Sequence, residues 1–257
     1  MKYSRSSKML ILSLLAVTCM TTASAQKPEI INGMEDWPSY LHIPQMPDGT
    51  KYLPVPPDTA SMAFVYDYSR YEWGKLQRNT TRGVQAAHDA ILVPDSVLAD
   101  FKDAFGLLIT KETTPHLYTL LSNVEEDAGD ATQTMKVKYK RIRPYHKFKE
   151  PSLVPKDEKD LSTDGSYPSG HTSIGWALAL VMAEINPACQ DAILKRGYAF
   201  GESRVIAGFH YQSDVNAGYL VGSAIVARLH ADPHFIKDLA AAKTEFDKVS
   251  RHLKRTK

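Results

Sequence analysis

Residues Gly165 to Thr172 read Gly-Ser-Tyr-Pro-Ser-Gly-His-Thr and pass from a turn directly into an apolar helical run, Ile174 to Ile185, which stops at Asn186-Pro187. A polar turn feeding an apolar helix places Ser169, Gly170 and His171 at a helix N-terminus. There, free amides and the positive end of the dipole favour an anion, and a glycine lets the backbone approach it closely. The rest of the chain is consistent with a helical setting. From about residue 59 onward helical signals dominate and strand signals are scarce. Asp58 or Ser61 can cap a first helix, Pro94-Asp95 starts another near 95–105, Pro115 starts a third running toward Lys140, and a further helix runs from Gln190 to Ser203-Arg204. No internal repeat or low-complexity block interrupts them. The expected fold class is all-α, a single-domain helical bundle over residues 61–257.

The ends of the chain set its context. Lys2, Arg5 and Lys8 precede an apolar run from Met9 to Met20, and Ala23-Ser24-Ala25 has the small-x-small pattern that a signal peptidase accepts before Gln26. The run is short of the roughly 20 residues that span a bilayer, so residues 1–25 are expected to be a cleaved secretory signal. The mature chain is then periplasmic in a Gram-negative host and otherwise secreted, with no membrane insertion. Cleavage leaves 28 basic against 29 acidic side chains and one cysteine, Cys189. Nucleic-acid binding through bulk charge is therefore unsupported, and no intramolecular disulfide can form. Residues 26–60 are rich in proline and read as an extended arm lying over the domain.

Three clusters carry the chemistry. Lys136 and Arg143 are seven apart; on one continuous helix they share a face about 10 Å apart along the axis and converge on a single anion. Pro144 then ends that helix at Arg143, leaving the guanidinium at the rim of a cleft. Taken alone, the segment holding Lys136, Lys138, Lys140, Arg141 and Arg143 also reads as a solvated basic helix end. Ser169, Gly170 and His171 form the second cluster. The third is Ser203-Arg204 followed, after a glycine-containing turn, by His210 and Asp214. With Asp214 in the first turn of the next helix, its carboxylate reaches back to one imidazole nitrogen and the other is left to attack. A helix cap beside a core histidine is the plainer reading of that pair.

Together these clusters fill every fixed position of K-x6-RP, PSGH and SR-x5-H-x3-D in order. In this the chain resembles the superfamily of type 2 phosphatidic acid phosphatases, bacterial acid phosphatases and vanadium haloperoxidases. The octapeptide GSYPSGHT narrows the resemblance to the class A bacterial non-specific acid phosphatases. Supporting stretches are Tyr52-Leu53-Pro54, Leu76 to Gly83, Glu126 to Asp130 and Arg141 to Pro144. The resemblance implies the acid phosphatase/haloperoxidase fold and hydrolysis of small-molecule phosphomonoesters with broad specificity. It assigns His210 as the nucleophile that forms a phosphohistidine, Asp214 as its orienting partner, and His171 as the acid and then the base. Lys136, Arg143, Ser169, Gly170 and Arg204 are assigned as the phosphate cradle. It implies no metal and no cofactor, and inhibition by vanadate as a transition-state mimic.

Three other readings share these residues. A lipid phosphatase would carry them between membrane-spanning helices, for which the apolar runs at 172–183 and 215–227 are too short. A vanadium haloperoxidase would hold vanadate in the same pocket as a cofactor. A non-enzymatic phosphate-binding protein would need the cradle but not both His171 and His210. Phe235, Leu239, Ala242, Phe246, Val249 and Leu253 mark an amphipathic C-terminal helix. Its seam packs on its own core or forms the contact of a homo-oligomer.

Overall fold

The computed structural model describes residues 39–255; the expected signal, the first part of the expected arm and the last two residues lie outside the described residues. Among the described residues there are helices and no strand, the expected all-α class. The helices are α1 (Met62–Gln77), α2 (Thr81–His88), α3 (Pro94–Asp100), α4 (Lys102–Phe105), α5 (Pro115–Asp130), α6 (Gln133–Tyr139), α7 (Pro144–Phe148), α8 (Glu158–Leu161), α9 (Gly170–Ile185), α10 (Gln190–Ala207), α11 (Gln212–Leu229) and α12 (Pro233–Arg255). Local chemistry accounts for their starts. The Ser61 and Thr80 hydroxyls accept from the Phe64 and Arg82 amides, and Pro94, Pro115, Pro144 and Pro233 stand at first helical positions, where no amide is needed.

The apolar helix α9 is the hub, packed between α10, α11 and α5, with α12 lying along α5 and α1 crossing α10 and α11. Ile174, Ala177, Leu178, Val181, Met182 and Ile185 are all buried, and the larger of these side chains each contribute about 1.5–3 kcal/mol by leaving water. Small residues set the spacing of the hub. A Cβ at Gly218 of α11 would stand 2.7 Å from the Ser169 carbonyl oxygen, and one at Gly197 of α10 would stand 2.4 Å from the Ala179 Cβ. The first close approach seats α11 on the first turn of α9.

The region around Lys136 departs from expectation. The third helix does not run from Pro115 to Arg143. It ends at Asp130, because the Thr132 hydroxyl donates to the Gly129 carbonyl (2.7 Å) and diverts the helical bonding there. The short α6 follows and closes at Lys140 in the left-handed region (φ 44°). Arg143 is extended ahead of Pro144, as a residue before proline should be. Lys136 and Arg143 therefore do not share a helical face, and Arg143 is buried rather than at a rim. The helix expected near 95–105 is divided at Phe101 into α3 and α4, and α10 continues past Ser203-Arg204 to Ala207.

The described part of the expected arm, residues 39–60, is tied down at two places. Tyr40 and Leu41 donate their amides to Asp127 on α5 (both 3.1 Å), Leu41 is buried in the core, and the Pro54 carbonyl accepts from the Tyr167 hydroxyl (2.7 Å). The C-terminal seam packs on the same core from Phe235 through Ala242, with Phe246 against Phe105, whereas Leu253 is exposed. No single helix among the described residues is long and apolar enough to cross a membrane.

Candidate active site

All eight residues expected to act at a phosphate lie on elements that meet at the N-terminal end of α9: Lys136 on α6, Arg143 before α7, Ser169 to His171 at the start of α9, Arg204 near the end of α10, and His210 and Asp214 around the start of α11. The connections are short and bonded. Gly208 (φ 82°) ends α10 in a conformation that glycine adopts without strain, and the Phe209 amide returns to the Arg204 carbonyl (3.1 Å). The turn thus carries His210 back toward α9. The loop ahead of α9 is pinned by Ser166 N–H to the Arg141 carbonyl (2.9 Å) and by Ser169 N–H to the Asp214 carbonyl (3.0 Å), and its Tyr167–Pro168 peptide is cis.

His210 is buried, and its partners fix its tautomer. Nδ1 lies 2.8 Å from the Ser166 carbonyl, which can only accept; Nε2 lies 3.0 Å from Arg143 Nη1, which can only donate. The proton is therefore on Nδ1 and the lone pair on Nε2. Asp214 stands farther off than the spacing suggested, with Oδ2 3.4 Å from Nδ1. Its oxygens accept from the Tyr211 amide (2.9 Å) and from Arg141, so it is a carboxylate beside the ring, with the backbone oxygen of Ser166 taking the ring proton. Burial, then Arg143, Lys136 and Arg204, push the His210 pKa well below the usual imidazole value.

The cations surround this ring. Lys136 Nζ donates to Asp164 Oδ2 and to the Gly165 carbonyl (2.7 Å each), and burial, with Arg143 next, pulls its pKa down to about 8. Arg143 Nη2 reaches the same Asp164 oxygen at 3.0 Å, and its Nε donates to the Leu161 and Asp164 carbonyls. Asp164 thus holds the pair together. At 37 % side-chain exposure it is the least buried member of that trio, against 6 % for Lys136 and 3 % for Arg143. Arg204 is 1 % exposed and lies over the Phe209 ring at 4.6 Å, yet its Nε and Nη1 have no hydrogen-bond partner. Buried donors on a cation are costly to leave unpaired, so this guanidinium is set for an anion.

Ser169 both caps α9 and keeps a donor. Its Oγ accepts from the Thr172 amide (3.3 Å) and the Thr172 hydroxyl (2.8 Å), leaving its own O–H to give. A Cβ at Gly170 would meet Thr132 and Lys136 only at ordinary contact distances, 3.7 and 3.9 Å, so nothing within the protein demands glycine there. His171 has Nε2 3.3 Å from the Ala90 carbonyl and stacks on Phe200, and burial, followed by Arg204, lowers its pKa.

Two residues at the site escaped sequence reasoning. Asp164 was visible only as one loop carboxylate directly before Gly165. Asp67, on α1 some 147 residues before Asp214, is fully buried against Arg141 and the start of α11 and left no local signal. Elsewhere, His88, Asp89 and Asp100 bring possible metal-ligand atoms within 4.8 Å of one another, but Arg196 already pairs with Asp89 (2.7 Å) and Asp100 (3.5 Å).

Residues 116–238 match the PAP2 superfamily. The chain is 51% identical over 213 residues to a non-specific acid phosphatase of Providencia stuartii, covering 82% of this chain and 86% of the relative. It is 40% identical to a non-specific acid phosphatase of Salmonella typhi (76% and 79% covered) and 37% identical to an acid phosphatase of Zymomonas mobilis subsp. mobilis (79% and 76% covered). With this extent of shared sequence, an all-α fold and the three signature blocks gathered at one helix end, the chain belongs to the bacterial non-specific acid phosphatases of the PAP2 superfamily.

Proposed function

We propose that this protein is an exported acid phosphatase that hydrolyses phosphomonoesters of broad structure through a phosphohistidine on His210, without a metal. The observation that carries this reading is the pairing of an unprotonated, buried Nε2 on His210 with a buried Arg204 whose donors await an anion. A phosphate takes over from Asp164 the contacts to Lys136 and Arg143 and draws Arg143 off the Nε2 lone pair. Arg204, the Ser169 hydroxyl and the Gly170 amide complete the cradle. Nε2 then attacks phosphorus as the P–O bond to the leaving group breaks. His171, protonated on the nitrogen turned away from Ala90, gives that proton to the departing alkoxide. In the second half the same nitrogen takes a proton from water, the hydroxide displaces His210, and orthophosphate leaves. A bound phosphate also offsets the Arg204 charge that lowers the His171 pKa, which favours the acid form when it is needed. The three cations supply the charge that a divalent metal supplies in other phosphatases. Export is supported by the order of basic, apolar and small residues over 1–25, and an N-terminus at Gln26 on the secreted protein checks it.

Rapid quenching with labelled substrate tests the chemistry. His210→Ala is expected to trap no acid-labile phosphoenzyme. His171→Ala is expected to retain phosphorylation by p-nitrophenyl phosphate while losing about 10²–10⁴-fold on alkyl phosphates, whose leaving groups need the proton. Labelled phosphoenzyme in the His210 variant would overturn the assignment.

A further inference from the structure

The Asp214 carboxylate does not end the chain of charge behind His210. Its Oδ1 is bonded to Arg141 Nη1; Nη1 also donates to the Ser213 hydroxyl (2.7 Å), and Arg141 Nη2 donates to Asp67 Oδ2 at 2.8 Å. Asp67 in turn accepts the Ser213 amide on Oδ1 (2.8 Å) and the Ser213 hydroxyl on Oδ2 (2.6 Å). Both carboxylates have fully buried side chains, the Arg141 side chain is 9 % exposed, and its guanidinium lies over the Tyr211 ring at 4.1 Å. The result is an alternating row: imidazole, carboxylate, guanidinium, carboxylate. It runs from the centre of the site to α1.

We propose that the side chains of Asp67 and Arg141 are positioning groups for the phosphoryl-transfer step, acting on His210 through Asp214. The proposal rests on the reading of His210 as nucleophile. Two physical consequences follow from the row. The first is geometric. Arg141 grips one oxygen of Asp214 while the Tyr211 amide holds the other, so the carboxylate cannot rotate away from the ring. Asp67 fixes the far side of the guanidinium and the Ser213 backbone one residue before Asp214. The second is electrostatic. An arginine bonded to Asp214 alone would cancel most of the negative charge facing Nδ1. Asp67 shares that arginine, which leaves Asp214 with more charge to stabilise His210 as it becomes cationic on forming the N–P bond. Neither Asp67 nor Arg141 touches the phosphate cradle of Lys136, Arg143, Ser169 and Arg204, so their loss should slow the chemical step and spare ground-state binding.

A double-mutant cycle distinguishes this from a purely structural role. Asp67→Asn, isosteric and uncharged, is expected to lower kcat by about ten- to a hundredfold, with KM and the Ki of orthophosphate within about twofold of wild type. In an Asp214→Asn background the same change is expected to cost less than about threefold, because the group through which Asp67 acts has gone. Arg141→Lys, which keeps the charge but loses the two-pronged grip, should behave in the same way and carries the cycle if Asp67→Asn does not fold. Equal losses in both backgrounds, a change confined to KM, or no change in kcat would each overturn the proposal. Phosphoenzyme trapped in His210→Ala would instead overturn the nucleophile assignment, which separates the two failures.

Discussion

Burial and the charges of Arg143, Lys136 and Arg204 push the His210 pKa well below 6.5, the pH at which a free imidazole is half protonated. Asp214 also borders the ring, 3.4 Å from Nδ1, and the balance still favours the lone pair. The sign of the effect matters for the proposed mechanism: a depressed pKa keeps the lone pair of His210 available as pH falls, whereas an exposed histidine would lose it. Lys136 sets the opposite limit. With its pKa drawn down to about 8, it gives up its proton as pH rises through that value, and the cradle loses one of its three charges. Histidine NMR on the free protein is expected to show His210 titrating well below a free imidazole, while KM for phosphomonoesters climbs above about pH 8. A His210 titration centred near 6.5, or a KM flat across pH 8, would contradict this account.

Among the elements, α9 organises both core and site, and its neighbours approach it through glycines. At Gly197 an added methyl would collide with Ala179 and with the Gly175 carbonyl at 2.9 Å, groups with no freedom to move aside. Gly197→Ala is therefore expected to destabilise the protein by about 1–3 kcal/mol in chemical denaturation while leaving KM unchanged, since α10 meets α9 here away from the cradle. The helices themselves were legible in the chain wherever a start is written locally: Ser61, Pro94, Pro115, and the Ser169 turn ahead of Ile174. The residues of the candidate site were legible as a group because they cluster in three short blocks around helix ends. What escaped was non-local or competitive. The break after Asp130 depends on a threonine hydroxyl diverting one carbonyl, and periodicity carries straight through it. Asp164 and Asp67 derive their roles from partners 28 and 146 positions away, a separation no window of sequence records. Arg141 looked like part of a solvated basic run until the fold placed carboxylates from α1 and α11 on either side of it.

On the scale of the whole molecule, the helices enclose a cluster of three buried cations with one bridging carboxylate, Asp164, for Lys136 and Arg143, and no hydrogen-bond acceptor for the Nε and Nη1 of Arg204. Such a cluster works against folding until something anionic arrives. Arg204→Met, which keeps an apolar stem over Phe209, is expected to raise the thermal midpoint of the ligand-free protein while abolishing turnover. Wild type is expected to gain stability with added orthophosphate, about 2.7 kcal/mol at a hundredfold excess over Kd, and the Met variant far less; thermal shift assays read both. A midpoint lowered by the substitution, or an equal phosphate response in both proteins, would count against it. The unpartnered donors of Arg204 have a further consequence for the working enzyme. In the proposed mechanism they take the phosphoryl oxygens and not the group attached to them, so released orthophosphate competes with the next ester for the same donors. Turnover by that mechanism would then be self-limiting: as inorganic phosphate accumulates it occupies the vacated cradle, and the rate of hydrolysis falls.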